Sequence, residues 1–373
     1  MASSTPIRTL KLEGGTGNFE LALKVFSGTV MEAFVSATKF WDNTGNIMAV
    51  KQLNGGRTAQ WPILGQDLDL AALSSGGITK GYHTPGAELL GQDIKMSEAT
   101  ITCDDFLVAQ VDIPFQDIDL SHFDVIQPFA VKLGRSLATD LDKKACTIAI
   151  KSAKTDISAN IHSGGNVVAQ ETFGTSAGDL VSYYENNSTG SGRFRNHASE
   201  LAKLMDEDAV PEAGRYLFIP PYIRQIMRHE GSMWGSTGTE ALKYGPAGNP
   251  FSGDMSANSW DLNGRVIGEL EGFNVIITNN IPTANVTGYT GDLTKYNITC
   301  DGSGDTEDNM RISAVALCGA QEGTAGIGMV QASGVRSTIE RDERRNTFFM
   351  KAQILCGLDV LAPWNAGAIG LWT

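Results

Sequence analysis

One segment of the sequence matches a motif of nucleophilic catalysis. Residues 174–178 read GTSAG, the G-x-S-x-G spacing in which a serine lies on a sharp turn between a strand and a helix. However, residues 166–173 predict only a weak strand, and residues 179–182 predict an ordinary turn instead of a helix. In a chain with 42 glycines such a pentapeptide arises easily by chance. We therefore assign no catalytic residue and predict that the protein is not an enzyme.

Residues that bind metals and nucleotides are present, but without the required spacing. The acidic segment 301–308 lacks the alternating ligands of a calcium loop, so we interpret it as solvated loop. Residues 14–17 (GGTG) lack the Lys-Ser/Thr of a phosphate-binding loop. The histidines show no zinc spacing, and we expect surface or helix-cap positions for His83, His122, His162, His197 and His229. Neither a CxxC pair nor a disulfide framework is formed by Cys103, Cys146, Cys300, Cys318 and Cys356. We predict no cofactor and no metal ion.

The composition excludes several classes of protein. The chain of 373 residues is 42% hydrophobic and 19% charged, so it has enough apolar surface to fold and is not disordered as a whole. It contains no apolar run near the roughly 20 residues of a membrane span, and its first residues lack a signal-peptide core. Its 29 basic and 42 acidic residues give a net charge of −13, which does not suit a nucleic-acid binder. We expect synthesis in a reducing, intracellular compartment and no membrane partner.

Residues 54–105 predict a long two-stranded ribbon. A turn signal at 54–56 precedes the alternating segment 57–65, and residues 99–103 return the chain. A two-stranded ribbon is marginally stable alone in water, and no adjacent segment is predicted to cover it. We therefore expect a neighbouring subunit to supply the surface on which it lies.

Residues 125–153 predict one long helix, with Asp124 as its N-cap. Its apolar residues recur at steps of three and four, as one stripe: Phe123, Ile126, Ala130, Leu133, Leu137, Leu141, Ala145 and Ile148. At 1.5 Å per residue the helix is about 40 Å long and acts as a strut. Gly134 lies inside it and costs roughly 1 kcal/mol relative to alanine, so we predict a bending point there.

Shorter elements follow from the same patterns. Helices are predicted at 19–40, 198–205 and 222–229. Strands are predicted at 215–221, where the run ends on two prolines, and at 266–270, 273–278, 312–318 and 348–360. The last strand belongs to a block that begins near residue 335.

Several segments, in order along the chain, resemble the major capsid protein family of T7-like short-tailed phages. They are LALKVFSG at 21–28, GRTAQWPILG at 56–65, HFDV at 122–125, LGRSLA at 133–138, RRN at 344–346 and AGA at 366–368. The pattern continues from about residue 20 to the C-terminus. Residues 13–18 and 154–195 are similar to the cyanophage branch of that family.

The resemblance implies an α+β chain with the Hong Kong 97-type capsid fold. An N-terminal arm and short helix would occupy 1–53, and an extended β-hairpin loop would occupy 54–105. A peripheral domain would comprise 106–195 plus 331–373, with residues 125–153 as its spine helix, and an axial domain would comprise 196–330. No covalent cross-link between subunits is expected.

The same resemblance implies a structural function. The protein would self-assemble as hexamers and pentamers into the icosahedral shell of a tailed bacteriophage. The shell would enclose double-stranded DNA without sequence-specific binding. A scaffolding protein, and a portal protein at one vertex, would be its other partners. It would reside in the virion capsid, and in the host cytoplasm before assembly. The alternative is a carbohydrate-binding or adhesive virion module built from the Gly/Asn-rich strands.

Two groups of residues are candidate contacts between subunits. Arg57 and Trp61 lie on the ribbon, where Trp61 is either a core residue or an apolar anchor on the neighbour. The charged segment 340–345 is either a solvated strand end, with ion pairs worth at most about 1 kcal/mol each, or a junction between subunits. At such a junction the paired residues would be Glu340, Arg341, Arg344 and Arg345.

Overall fold

The computed structural model describes residues 19–41, 47–63, 85, 97–120, 126–155, 164–170, 194–234, 266–283, 285–299, 310–319 and 325–372. The chain divides into two compact units. The first unit comprises Met1–Thr38, Asp105–Leu141 and Ala332–Cys356. The second comprises Lys39–Asp104, Asp142–Gln331 and Gly357–Thr373.

The described elements comprise five α-helices and twelve strands, and no α-helix is described after residue 234. In order they are α1 (Phe19–Ala37), β1 (Ala49–Gln52), β2 (Thr58–Ile63), β3 (Ser97–Thr102), β4 (Leu107–Pro114), α2 (Phe115–Leu120), α3 (Ile126–Ala153), β5 (Asn166–Gln170), α4 (Phe194–Glu207), β6 (Arg215–Ile219), α5 (Pro221–Trp234), β7 (Val266–Leu270), β8 (Phe273–Ile277), β9 (Met310–Cys318), β10 (Ile327–Asp342), β11 (Thr347–Val360) and β12 (Ala366–Trp372). Short 3₁₀ turns occupy Gly291–Tyr296 and Pro363–Asn365. This mixture of helices and sheets is the α+β class that the sequence predicted.

The first unit contains α1, the first half of α3, and a strand pair. In that pair β4 lies antiparallel to β11, with Phe348 opposite Ile113 and Ile354 opposite Leu107. The pair belongs to a four-stranded sheet of order β1-β10-β11-β4, of which β4 is an edge. On α3 the predicted apolar stripe is buried from residue 130 onward, at Ala130, Leu133, Leu137, Leu141, Ala145 and Ile148.

The second unit is built around a six-stranded sheet of order β5-β12-β9-β6-β8-β7. β12 pairs parallel with β5 and antiparallel with β9, so the last strand of the chain lies inside the sheet. Apolar residues of α4 and α5, among them Leu201 and Ile223, share one core with Leu217 of β6 and Val275 of β8.

Most predicted elements are confirmed, and several were missed. α3 begins at Ile126 and ends at Ala153, and β6 lies within the predicted run 215–221. β10 begins at Ile327, before the predicted start near 335, and four elements were not predicted: β1, β4, α2 and β12. The expectation of a surface or cap position is wrong for His197, which is 1% exposed in α4, because the apolar face of that helix carries it into the core.

The predicted domain boundaries stay a prediction. β12 was assigned to the peripheral domain with 331–373, and it hydrogen-bonds to β9, which was assigned to the axial domain. The spine helix 125–153 contributes its first part to one compact unit and its last part to the other.

Candidate functional site

The segments whose residue types could carry catalysis or bind ions lie mostly outside the described residues. This holds for the GTSAG motif at 174–178 and for the acidic segment 301–308. Within the described residues, no group of three or more His, Cys, Asp and Glu side chains is arranged to hold a metal ion. The described cysteines are buried and form no disulfide: Cys103, Cys146, Cys318 and Cys356. None of the helices in the described part of the chain combines the length and apolarity that a bilayer crossing requires.

The described part of the predicted ribbon is its root, the strand pair β2 and β3. These strands are antiparallel, with Ala59 opposite Ile101 and Trp61 opposite Ala99. Alternate residues of β2 are buried, and Ile101 is 0% exposed. The rest of the ribbon, apart from residue 85, lies outside the described residues. For the root, the expectation that a neighbouring subunit must cover it is wrong, because strands distant in sequence within the same chain do so.

Trp61 is packed within its own chain, as expected for a core residue and not for an anchor exposed to a neighbouring subunit. The indole side chain is 3% exposed, and the Nζ of Lys51 lies 5.3 Å from the ring centroid. The same ammonium group donates a hydrogen bond of 2.9 Å to the carbonyl of Gln60. β1 therefore holds β2 through Lys51, by a cation–π contact and a hydrogen bond.

Arg57 lies at the start of the root and is accessible. Its Nε donates a hydrogen bond of 3.0 Å to the carbonyl of Cys103, and its guanidinium lies 3.6 Å from the Asp292 carboxylate. The side chains of Arg57 and Asp292 are 55% and 80% exposed, so this ion pair is weak and can exchange partners.

A buried carboxylate fixes the end of the root. Asp104 lies two residues after the end of β3. Its Oδ1 lies 2.7 Å from the Nζ of Lys295, and its Oδ2 accepts a hydrogen bond from the Tyr296 hydroxyl. That hydroxyl in turn accepts from the backbone N–H of Leu358 at 3.2 Å. The carboxylate has both a cation and a hydroxyl donor, so its burial is compensated.

Lys151 supports this arrangement from α3. Its Nζ donates a hydrogen bond of 2.6 Å to the carbonyl of Lys295, the residue that pairs with Asp104. Partial burial lowers the pKa of Lys151, and the nearby charge of Asp359 partly offsets that effect. The 3₁₀ turn that carries Lys295 and Tyr296 is therefore held from one side by α3 and from the other by the hairpin root.

The charged segment 340–345 forms the tip of the β10–β11 hairpin. The Asp342 carboxylate accepts hydrogen bonds from the backbone N–H groups of Arg344 and Arg345, at 2.9 and 3.3 Å. Asn346 closes the turn with φ of 56°, in the left-handed region that asparagine tolerates. The turn is thus held by the Asp342 carboxylate and backbone N–H groups, and the guanidinium of the exposed Arg344 is not needed to close it.

The ion pairs within this tip are long and exposed. The pairs are Arg341 with Glu343 at 3.6 Å, Arg345 with Asp342 at 3.9 Å, and Glu340 with Lys351 at 3.9 Å. Each is worth less than about 1 kcal/mol at such exposure. The structure therefore brings together four of the six predicted contact residues, Glu340, Arg341, Arg344 and Arg345, and holds their charges only loosely.

Aromatic residues support the tip from below. The guanidinium carbon of Arg341 lies 4.7 Å from the ring centroid of Phe115, which makes an edge-to-face contact with Phe348 at 4.6 Å. An open cleft of about 410 Å³ beside them is lined by Asp112, Glu340, Arg341, Asp342, Arg345 and Phe349. Arg341 is thus both a packing residue and a charged residue of the cleft.

Gly134, the predicted bending point, lies where α1 crosses α3. A Cβ at this position would lie 2.5 Å from the carbonyl oxygen of Val30 and 3.0 Å from the Cβ of Ala33. The close approach of the two helix backbones therefore requires glycine here. Bending at Gly134 stays a prediction.

Sequence reasoning missed the polar residues that hold the root. Asp104 and Tyr296 are 192 positions apart, and no local pattern links them. The one available signal was the position of Asp104 directly after an alternating strand, where a carboxylate commonly accepts hydrogen bonds from a nearby segment.

Comparison with known proteins shows that this chain is similar to phage capsid proteins. Residues 73–243 match the family described as "Gp10A-like: Major capsid protein". The major capsid protein of Escherichia phage T7 is 31% identical over 150 residues, which are 38% of this chain and 39% of that protein. The major capsid protein of Enterobacteria phage T3 is 30% identical over 135 residues, which are 35% of this chain and 34% of that protein. The matched region thus spans well under half the length of these curated relatives.

Solved structures resemble this chain over nearly its whole length. The capsid structure of the cyanophage P-SCSP1u covers 99% of both chains, with a TM-score of 0.63 and 24% identity. The mature capsid of bacteriophage PhiM1 covers 90% of this chain and 89% of its own, with a TM-score of 0.58 and 16% identity. At these identities the likeness establishes the fold, which is the Hong Kong 97-type capsid fold. The predicted resemblance to phage capsid proteins is confirmed.

Proposed function

We propose that this chain is the major capsid protein of a tailed bacteriophage of the T7-like group. Its role is structural: many copies assemble as hexamers and pentamers into the icosahedral shell. The observation that carries the proposal is the likeness to a cyanophage capsid structure over 99% of both chains, together with the family match at residues 73–243. The match to the T7 and T3 capsid proteins in sequence supports it independently.

The surface of the first unit supports assembly. Large apolar side chains are exposed on α1, at Val25, Met31 and Val35, and around the start of β4, at Phe106 and Val108. Phe106 is 52% exposed, which is costly in water for a phenyl ring. In a shell, neighbouring copies would cover this surface, and the apolar area removed from water would drive association.

The charged residues fit a shell of weak contacts. Arg57 and the tip residues Glu340, Arg341, Arg344 and Arg345 carry exposed charges that can pair with carboxylates or ammonium groups of a neighbour. Each such pair is weak, but a closed shell engages many at once. Trp61 contributes indirectly, by holding the hairpin root in place.

The net charge of −13 fits a shell that encloses double-stranded DNA, as we propose. A wall with excess negative charge repels phosphates, so double-stranded DNA can be packed without adhering, and no sequence-specific contact is needed. A scaffolding protein would guide assembly in the host cytoplasm, and a portal protein would occupy one vertex. Residues 106–195 and 331–373 would form the peripheral domain, and 196–330 the axial domain.

Electron microscopy of the expressed chain tests the proposal. The full chain is produced in bacteria, alone and together with the scaffolding protein of its own genome, and particles are examined by negative stain. Closed shells or polyheads are expected. A monodisperse small oligomer under all conditions contradicts the proposal, and glycan binding by that oligomer would favour the adhesive module.

Deletion of residues 66–95 tests the role of the extended hairpin. The deletion leaves β2 and β3 intact, so the subunit is expected to fold with unchanged circular dichroism and to form no closed shells. Normal particles from the deletion variant would refute the hairpin's role between subunits.

A further inference from the structure

The hairpin root is seated on two glycines of the same chain, Gly328 in β10 and Gly357 in β11. A Cβ at Gly328 would lie 2.6 Å from the Cδ1 of Ile101, closer than van der Waals contact allows. A Cβ at Gly357 would lie 2.1 Å from the carbonyl oxygen of Thr102 and 2.9 Å from the Cα of Cys103. Each glycine therefore leaves room for a part of β3 that a side chain would displace.

Neither glycine is required by its backbone conformation. Both lie inside extended strands, and neither has a positive φ. Glycine inside a strand normally weakens it, and its usual explanation is the close approach of another backbone or side chain. The close approach of Ile101 and of the Thr102 carbonyl supplies that explanation at both positions.

The contacts of Gly328 and Gly357 and the polar contacts of Asp104 act on the same short segment, residues 101–104. Ile101 occupies the space next to Gly328, and Leu361 lies at ordinary contact distance from the position of an added Cβ there. Three residues later the Asp104 carboxylate is held by Lys295 and Tyr296. One apolar contact and one buried ion pair therefore fix both the position and the direction of β3.

We infer that Gly328 and Gly357 are positioning residues that set the direction in which the extended hairpin leaves the subunit. This inference rests on the proposed function, in which the hairpin reaches a neighbouring subunit. Because residues 64–96 connect β2 to β3, a tilt of β3 also moves the point at which this segment joins the root. The two glycines thereby determine whether the hairpin meets its neighbour at the angle that a closed shell needs.

Alanine at each position, with one compensating change, tests the inference. Gly328→Ala forces the Ile101 side chain to move, and Ile101→Val removes the Cδ1 atom with which the new methyl group collides. The double variant Gly328→Ala/Ile101→Val therefore relieves the clash, and Ile101→Val alone controls for the lost methyl group. Gly357→Ala collides with backbone, so no side-chain change is expected to compensate it.

The readout is the ratio of closed shells to open or aberrant particles, measured by negative-stain microscopy on full-length chains co-expressed with the scaffolding protein. The melting temperature of each soluble subunit is recorded in parallel. Gly328→Ala and Gly357→Ala are expected to lower the ratio by about tenfold or more, the scale expected for overpacking. The double variant and Ile101→Val alone are expected to lie within about twofold of the wild type.

Each outcome bears on the inference. Wild-type ratios in both alanine variants overturn it, and so does a double variant that assembles no better than Gly328→Ala. A loss of closure that the melting temperatures fully account for, with the double variant as unstable as Gly328→Ala, also overturns it, because the glycines would then serve stability alone. If the wild-type chain itself forms no shells, the proposed function fails first, and that result is distinguishable from all of these.

Discussion

Oδ2 of Asp142, on α3, lies 2.8 Å from the backbone nitrogen of Lys39, 103 positions earlier in the chain. Oδ1 of the same carboxylate accepts a hydrogen bond from the backbone N–H of Phe40 at 3.2 Å, and the side-chain amide of Asn280 donates to Oδ2 at 3.3 Å. The ring of Phe40 stacks on Phe218 at 4.0 Å. A single buried carboxylate thus holds the segment that inserts Phe40 into the core of the second unit.

Asp142→Asn is expected to destabilise the protein by about 2–3 kcal/mol, since an amide replaces one carboxylate oxygen with a donor that faces other donors. Urea unfolding followed by circular dichroism measures the change. The matched control is Asp140→Asn on the exposed side of the same helix, which is expected to stay within about 0.5 kcal/mol of the wild type. Equal effects of the two substitutions would show that the hydrogen bonds of Asp142 contribute nothing.

Gly134→Ala and Gly28→Ala are expected to have opposite effects. The methyl group at 134 meets the Val30 carbonyl of α1 at 2.5 Å, so the helices must separate, at a cost of about 1–3 kcal/mol. Gly28 lies on α1 with nothing within 4 Å of a new Cβ, so alanine there is expected to stabilise by about 0.5–1 kcal/mol. Both are measured by thermal unfolding.

The same pair of variants addresses the predicted bending point. Bending at Gly134 would matter when an assembled shell expands during DNA packaging, because α3 would bend in that step. If Gly134 serves only the helix contact, the Gly134→Ala shells that do form will expand with the same trigger and rate as the wild type. Altered expansion at equal shell yield would instead support bending at Gly134.

Cys146 is expected to make the protein less stable at alkaline pH. Burial, with the charge of Asp142 as a smaller cause, raises the pKa of the Cys146 thiol well above its ordinary value of 9.0. Above that pH the unfolded thiol loses its proton while the native thiol keeps it, so the native state binds more protons and stability falls as pH rises. The slope reaches about 1.4 kcal/mol per pH unit.

Urea unfolding of the wild type and of Cys146→Ala at pH 7, 9 and 10 checks this prediction. The variant is less stable at pH 7, because it loses a buried sulfur, but its stability is expected to depend less on pH above 9. A parallel decline in the two proteins would contradict the assignment. Native Cys146 is also expected to resist alkylation under conditions that modify it in urea.

Arg344→Ala is expected to impair assembly without affecting folding. The Arg344 side chain is exposed at the hairpin tip, and the turn is held by the Asp342 carboxylate and the backbone N–H of Arg344. The melting temperature is therefore expected to shift by less than about 2 °C. Lys203→Ala serves as control, because it removes one exposed cation from α4 and so gives the protein the same net charge as Arg344→Ala does. Light scattering at low and high salt is expected to show slower assembly for Arg344→Ala only, with the difference reduced by salt. Equal rates for both variants would remove Arg344 from the subunit contacts.

The sequence by itself determined the elements whose pattern is local. The apolar stripe that begins at Phe123 predicted α3 almost to the residue, because a helix of that length needs only one continuous apolar face. The alternation around Trp61 predicted β2, and the resemblance over several short segments led to the fold. The charged tip was also visible, since charge is read directly from residue type.

Only the tertiary structure decided what those elements contact. The hairpin root is covered by its own chain, because Ile101 fits a space that Gly328 leaves open 227 positions later, and no local pattern records such a pairing. The glycine inside α3 serves a helix crossing, and Asp142 and Asp104 hold segments far away in sequence. Close approach and buried hydrogen bonding depend on three-dimensional neighbours, which periodicity does not encode.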